Sequence, residues 1–180
     1  MTLIGEDQKN ASTSAAHAPQ SALELADACL QAAAKDVWGT MLGWDMPSLP
    51  GLLVTGRPAA FSMMEVNGFV GFAGKITGGI FFSCPESLAA KMAGAILGDA
   101  TAVGSREVSE VVGELTNMLA GGCVSRLRDR GYQLAMSIPN IIRGVAIQAT
   151  SRDVTFMIQR KYVVAGQSDQ PQITLIGKFE

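Results

Sequence analysis

Glu114 and Asn117 are the residues of this chain whose types and spacing offer chemistry. They stand three apart in a stretch whose apolar residues recur at helical period. Residues so spaced emerge from one helix face as neighbours, about 5–6 Å apart at Cβ. A carboxylate beside a carboxamide pairs an anionic acceptor with a neutral group that both donates and accepts hydrogen bonds. Asn is a poor mid-helix residue because its amide competes for backbone hydrogen bonds. Gly121, one turn on, costs roughly 1 kcal/mol relative to Ala in a helix interior. Glu107 and Glu110 continue the stripe toward the N-terminus. Together these residues make a face of carboxylates, one carboxamide and a flat spot for close approach. Taken alone, such a stripe reads first as a solvated helix face, as most charge runs do.

Other chemistries fail on inventory or spacing. The single histidine, His17, lies in a polar stretch near the start, so a His-based zinc site or a Ser-His-Asp triad in the folded part is excluded. Cys29, Cys84 and Cys123 are dispersed and form no Cys-x-x-Cys pair, which reads as reduced, buried thiols in a cytoplasmic protein. The residue six after Cys123 is Asp129 and six after Cys84 is Ala90, so neither thiol has the downstream arginine of a cysteine phosphatase. The glycine-rich run from Gly68 to Lys75 has Phe69 and Ile76 where a phosphate loop needs Gly and Ser or Thr, and it reads as hairpin glycines. Fourteen Lys+Arg against sixteen Asp+Glu give a net charge of −2, without the basic excess that nucleic-acid binding needs. Arg126, Arg128 and Arg130 close the informative helix and read as complements to its dipole. The nine methionines read as core filler. No apolar run approaches the roughly 20 residues of a membrane span, and no signal peptide is evident.

The elements that must position the stripe follow from period and punctuation. Residues 1–19 carry no apolar period and are expected to be a disordered tail, leaving 20–180 as one domain. Leu23, Ala26, Leu30, Ala33, Val37 and Met41 predict a helix from Ser21, closed by Gly43. Phe69–Ala73 and Gly78–Ser83 flank the Gly74-Lys75 turn as a hairpin. Pro85 opens a helix with a Leu88, Met92, Ile96 stripe, and Gly98 stops it. The helix from Ser105 to about Arg130 places Val108, Val111, Val112, Leu115, Leu119, Gly122 and Cys123 on its core face, with Gly131 as the stop. Strands are expected over about 133–144, 152–164 and 172–180. The class is α+β, a mostly antiparallel sheet with about three helices packed on it.

The run Glu114-Leu115-Thr116-Asn117-Met118-Leu119-Ala120-Gly121 resembles the signature of the CheC, CheX and FliY chemotaxis phosphatases. The likeness extends over about 21–180 through Met41-Leu42-Gly43, Gly74 and Gly78 before Ile80-Phe81-Phe82-Ser83, Ile96-Leu97-Gly98 and Ser137-Ile138-Pro139. Three departures stand beside it: Glu110 where Asp or Ser is usual, a spacing from Asn117 to Pro139 one residue shorter than usual, and Gly122 where many members carry Asn. A second Glu-x-x-Asn is absent, the first helix offering only Glu24-Leu25-Ala26-Asp27, so the chain is most similar to one-site CheX.

The resemblance implies a substrate, a phosphorylated CheY-like receiver domain whose aspartyl phosphate lies beside the receiver's own Mg²⁺ and lysine. Asn117 would then hold the attacking water and Glu114 would pair with that lysine. Glu110, Gly121 and Glu107 would contact the partner, and the chain would need no metal or cofactor of its own. The alternative is a non-catalytic binding module that docks a receiver or an assembly. A homodimer joined at sheet edges is also implied. The C-terminal alternation of Thr174, Ile176 and Lys178 with Leu175, Gly177 and Phe179, poor in protective charge, is the expected edge or near-edge strand.

Overall fold

The computed structural model describes residues 14–56, 60–98, 103–168 and 170–180, with side chains from Ser21 onward. Helix α1 (Ser14–Val37) continues into a single π turn, Trp38–Leu42. Strands β1 (Leu52–Thr55), β2 (Phe61–Ser62), β3 (Val66–Gly74) and β4 (Ile76–Cys84) follow, then helices α2 (Glu86–Leu97) and α3 (Ser105–Arg128). The chain ends with β5 (Leu134–Met136), β6 (Asn140–Arg143), β7 (Gln148–Ala149), β8 (Phe156–Lys161) and β9 (Gln172–Phe179). Among the described residues, no helix is long and apolar enough to cross a membrane.

Seven strands form one antiparallel sheet in the order β1-β8-β9-β4-β3, with β5 and β6 both pairing the outer side of β3. Strand β4 shows why the sheet has two covered faces. Ile80 and Phe82 join the main core, whereas Phe81 between them points to the other side. The main core lies between the sheet and the three helices, centred on Trp38, Phe82, Leu115, Leu119 and Tyr162. The Trp38 ring meets Phe82 at 5.4 Å and the edge of Tyr162 at 5.6 Å. On the far face a smaller cluster of Phe61, Phe81, Met157 and Ile176 is roofed by the short β2–β7 pair.

Three expectations need correction. First, α1 starts at Ser14 rather than Ser21, so residues 14–19 belong to a helix and not to a tail; residues 1–13 lie outside the described residues. Ala15, Ala16 and Ala18 are strong helix formers, and the helix nucleated downstream continues into them although Pro19 removes one N–H from its ladder. Periodicity is blind to such residues. Second, the strand expected over 133–144 is two strands, because Ser137-Ile138-Pro139 leaves the ladder. Pro139 has no N–H to donate, and the Ser137 hydroxyl accepts the Gly71 N–H at 3.0 Å in place of a backbone carbonyl. Third, β9 is not an edge. It bonds β4 on one side and β8 on the other, and Thr174, which faces Phe81 and Gln159 across the two ladders, is fully buried. Its scarcity of charge reflects coverage on both sides. The edges of the sheet are β1 and the β5–β6 side.

Helix α1 is fastened to the sheet by a largely buried pair. The Arg160 guanidinium on β8 donates from Nε to Asp27 Oδ1 at 2.8 Å and from Nη2 to Asp27 Oδ2. Gln31 Nε2 donates to the same carboxylate at 2.9 Å. Asp27 is the residue that stands where a second Glu-x-x-Asn would have its amide, and here it is a structural anchor.

Candidate functional site

Helix α3 lies on β3 and β6 and is set there by one close approach. Thr116 is fully buried, with its hydroxyl donating to the Val112 carbonyl at 2.6 Å. Its side chain occupies the space above Gly68, where a Cβ would come within 1.8 Å of Thr116 Oγ1 and 2.7 Å of its Cβ. Only glycine fits at 68, and that fit fixes the depth and rotation of α3. Farther toward the N-terminus, Gly113 rests on Ile141 of β6. The Asn67 side chain, also fully buried, ties β6 to β3 by donating to the Ile142 carbonyl at 3.1 Å and to the Met64 carbonyl at 2.7 Å.

With Thr116 facing the sheet, the neighbours that flank it turn outward. Glu114 is exposed and Asn117 half-buried, and among the described residues neither side chain makes a hydrogen bond or ion pair within the chain. Gly121 has no atom near enough to contact an added Cβ, so packing does not demand a glycine there. The flat spot is open ground. Glu110 is exposed and pairs with Arg106 at 2.9 Å, an i, i+4 contact of the kind that contributes little when solvated. Glu107 spends one oxygen on the Gly104 N–H at 3.0 Å, closing the first turn of α3. All five residues therefore share one stripe, and among the described residues two of them, Glu114 and Asn117, have side chains without a partner in the chain.

Several neighbouring groups have structural employment. Ser109 donates to the Ser105 carbonyl and accepts from Arg143 Nη1 at 3.0 Å, while Arg143 Nη2 pairs with Glu86. Arg126 donates to the Gly122 carbonyl and pairs with Asp36 on α1, and Arg128 caps the Leu134 carbonyl. Gly122 lets α1 approach α3, since a Cβ there would sit 3.1 Å from that of Ala33. Burial holds the Cys84 thiol neutral by pushing it up to about 12, and raises Cys123 as well. These thiols are core, not nucleophiles. Sequence reasoning missed the Gly68–Thr116 contact, although a β-branched residue in mid-helix and a glycine in mid-strand are its signals. It also missed Met41, Ile96 and Leu97 as neighbours of the stripe.

A Glu-x-x-Asn helix laid across an antiparallel sheet, with two further helices beside it, defines an α+β protein. The backbone is similar to that of a CheC-like superfamily protein from Shewanella sp. PV-4, with a TM-score of 0.73 and 23% identity over 86% of this chain and 97% of that one. It is similar to a chemotaxis protein CheX from Desulfovibrio desulfuricans, with a TM-score of 0.69 and 21% identity over 85% and 99%. It also matches the CheX-CheY-BeF3-Mg²⁺ complex from Borrelia burgdorferi, with a TM-score of 0.66 and 18% identity over 83% and 96%. At such identities these likenesses establish the fold. No curated protein sequence matches the chain. The sequence pattern of the family described as chemotaxis phosphatase CheX matches residues 66–160, more than half of the chain. The chain belongs to the CheX family.

Proposed function

We propose that this protein dephosphorylates a CheY-like receiver domain by placing a water molecule against its aspartyl phosphate. The observation that carries the reading is the pair Glu114 and Asn117, held outward by a buried contact and left without partners in the chain. In a receiver, the electrophile, the Mg²⁺ and a lysine belong to the partner, so this chain needs to add only position. The Asn117 amide suits that task, because it accepts from and donates to a water molecule without becoming a competing nucleophile. The water oxygen bonds to phosphorus, the phosphorus–oxygen bond to the aspartate breaks, and the products are the free carboxylate and inorganic phosphate. Glu114 pairs with the receiver's lysine and so orients the two surfaces. Positioning and borrowed electrostatics are a sufficient basis for phosphoryl transfer. The flat surface at Gly121 allows the receiver to come close, and Glu110 and Glu107 continue the contact surface.

The match to the family and the similarity to a CheX held in complex with CheY support this reading. A docking module without catalysis would bind the receiver and leave the lifetime of its phosphate unchanged. Its test is the decay of a receiver phosphorylated with acetyl phosphate, followed with and without the protein. Faster decay in substoichiometric protein supports the phosphatase, and an unchanged decay with measurable binding supports the module.

A further inference from the structure

Beside Glu114 the fold opens a groove of about 210 Å³. Its floor is apolar and comes from three elements: Met41 in the π turn, Ile96 and Leu97 at the end of α2, and Val111 and Leu115 on α3. Its rim is acidic, made by Glu107, Glu110 and Glu114, and among the described residues no lysine or arginine lines it. Leu97 is 53% exposed, a large apolar side chain left facing water. Gly98, at φ +75°, ends α2 immediately after it, its N–H donating to the Gly94 carbonyl. The C-terminal end of α2 adds its partial negative charge to the same rim. Arg106, one helical turn from Glu110, is exposed and engaged with it.

We propose that this groove selects the receiver: it accepts an apolar side chain that the receiver presents next to a lysine or arginine. The proposal rests on the reading of the chain as a receiver phosphatase and adds the means of partner choice. The volume holds one or two side chains and is below the roughly 300–1,000 Å³ of small-molecule sites, so the occupant is an anchor residue of a macromolecule. The acidic rim and the helix end favour a cationic neighbour for that anchor and disfavour an acidic one. Glu114 belongs both to the rim and to the Glu-x-x-Asn pair, so filling the groove and aligning Asn117 with the phosphate are one docking event.

The test uses the full chain and a CheY-type receiver domain, phosphorylated with acetyl phosphate for turnover and loaded with beryllofluoride and Mg²⁺ for binding. Leu97→Arg should raise KM and Kd about tenfold while kcat moves less than twofold, and Leu97→Met should behave as wild type. Glu110→Lys should raise KM and flatten its dependence on salt. Should Leu97→Arg lower the melting temperature, Leu97→Ser removes the apolar wall without adding charge and should show the same KM shift. KM and Kd within twofold of wild type in a folded Leu97 variant overturn the groove. Asn117→Ala run in parallel separates the two ideas. Lost turnover there with a silent Leu97 variant defeats the groove alone, whereas a chain that speeds the decay of no receiver defeats both.

Discussion

Asn117 keeps its amide unengaged within the chain, which separates what it does for folding from what it does for turnover. Asn117→Ala should therefore change stability by no more than roughly 0.5 kcal/mol, the range of ordinary surface substitutions. It should abolish acceleration of phosphate loss while a phosphorylated receiver still binds. Asn117→Asp should fail as well, since a carboxylate would face an anionic phosphoryl group. Glu114→Ala should weaken affinity and turnover together, and Glu114→Lys should do so further through repulsion of the receiver's lysine. Titration calorimetry against a beryllofluoride-loaded receiver, combined with steady-state turnover, distinguishes these patterns. Glu110 is the internal control on the same face: its pairing with Arg106 is exposed, and Glu110→Ala should leave kcat in place.

At the scale of elements, the seat of α3 on β3 depends on a missing side chain. Gly68→Ala would press a methyl group into Thr116, and overpacking of this kind costs about 1–3 kcal/mol. Combining it with Thr116→Ala should recover much of the loss, and urea unfolding of the single and double variants measures this directly. The attachment of α1 is tested in the same way. Asp27→Ala would leave the Arg160 guanidinium largely buried and unpaired, at a cost of about 3 kcal/mol. Such elements differ in how far the sequence reveals them. The α3 stripe is legible because its charges and apolar residues follow one local period. The hairpin of β3 and β4 is legible because its turn is punctuated by glycine. The Asp27–Arg160 pair spans 133 positions, and no local pattern joins its members. The placement of β9 is not legible because a charge-poor edge strand and a strand bonded on both sides differ only in long-range pairing. The groove beside Glu114 was invisible for the same reason: Met41, Ile96 and Leu97 reach it from elements that meet only in the fold.

For the molecule as a whole, buried acidic protons set a pH limit. Burial raises the Cys84 thiol from 9.0 to about 12 and raises Cys123 and Tyr162 as well. Above pH 9 the unfolded chain therefore releases protons that the native state keeps, and stability falls as pH rises. Each such group contributes a slope of about 1.4 kcal/mol per pH unit within its window. The melting temperature should be level from pH 7 to about 8.5 and then decline steeply; a level curve to pH 11 would contradict the burial of these groups. The proposed dimer belongs to this scale too. With β9 in the sheet interior, the free edges are β1 and the β5–β6 side, and light scattering should give about twice the chain mass at tens of micromolar. In the proposed mechanism turnover depends on Asn117, and phosphate decay reads that dependence without an intervening step. A receiver phosphorylated with acetyl phosphate is freed of excess donor, and its phosphate decay is followed alone, with wild-type protein and with Asn117→Ala. The account predicts fast decay with wild type and the intrinsic rate with Asn117→Ala, although both proteins bind the receiver; acceleration by Asn117→Ala equal to wild type would contradict it.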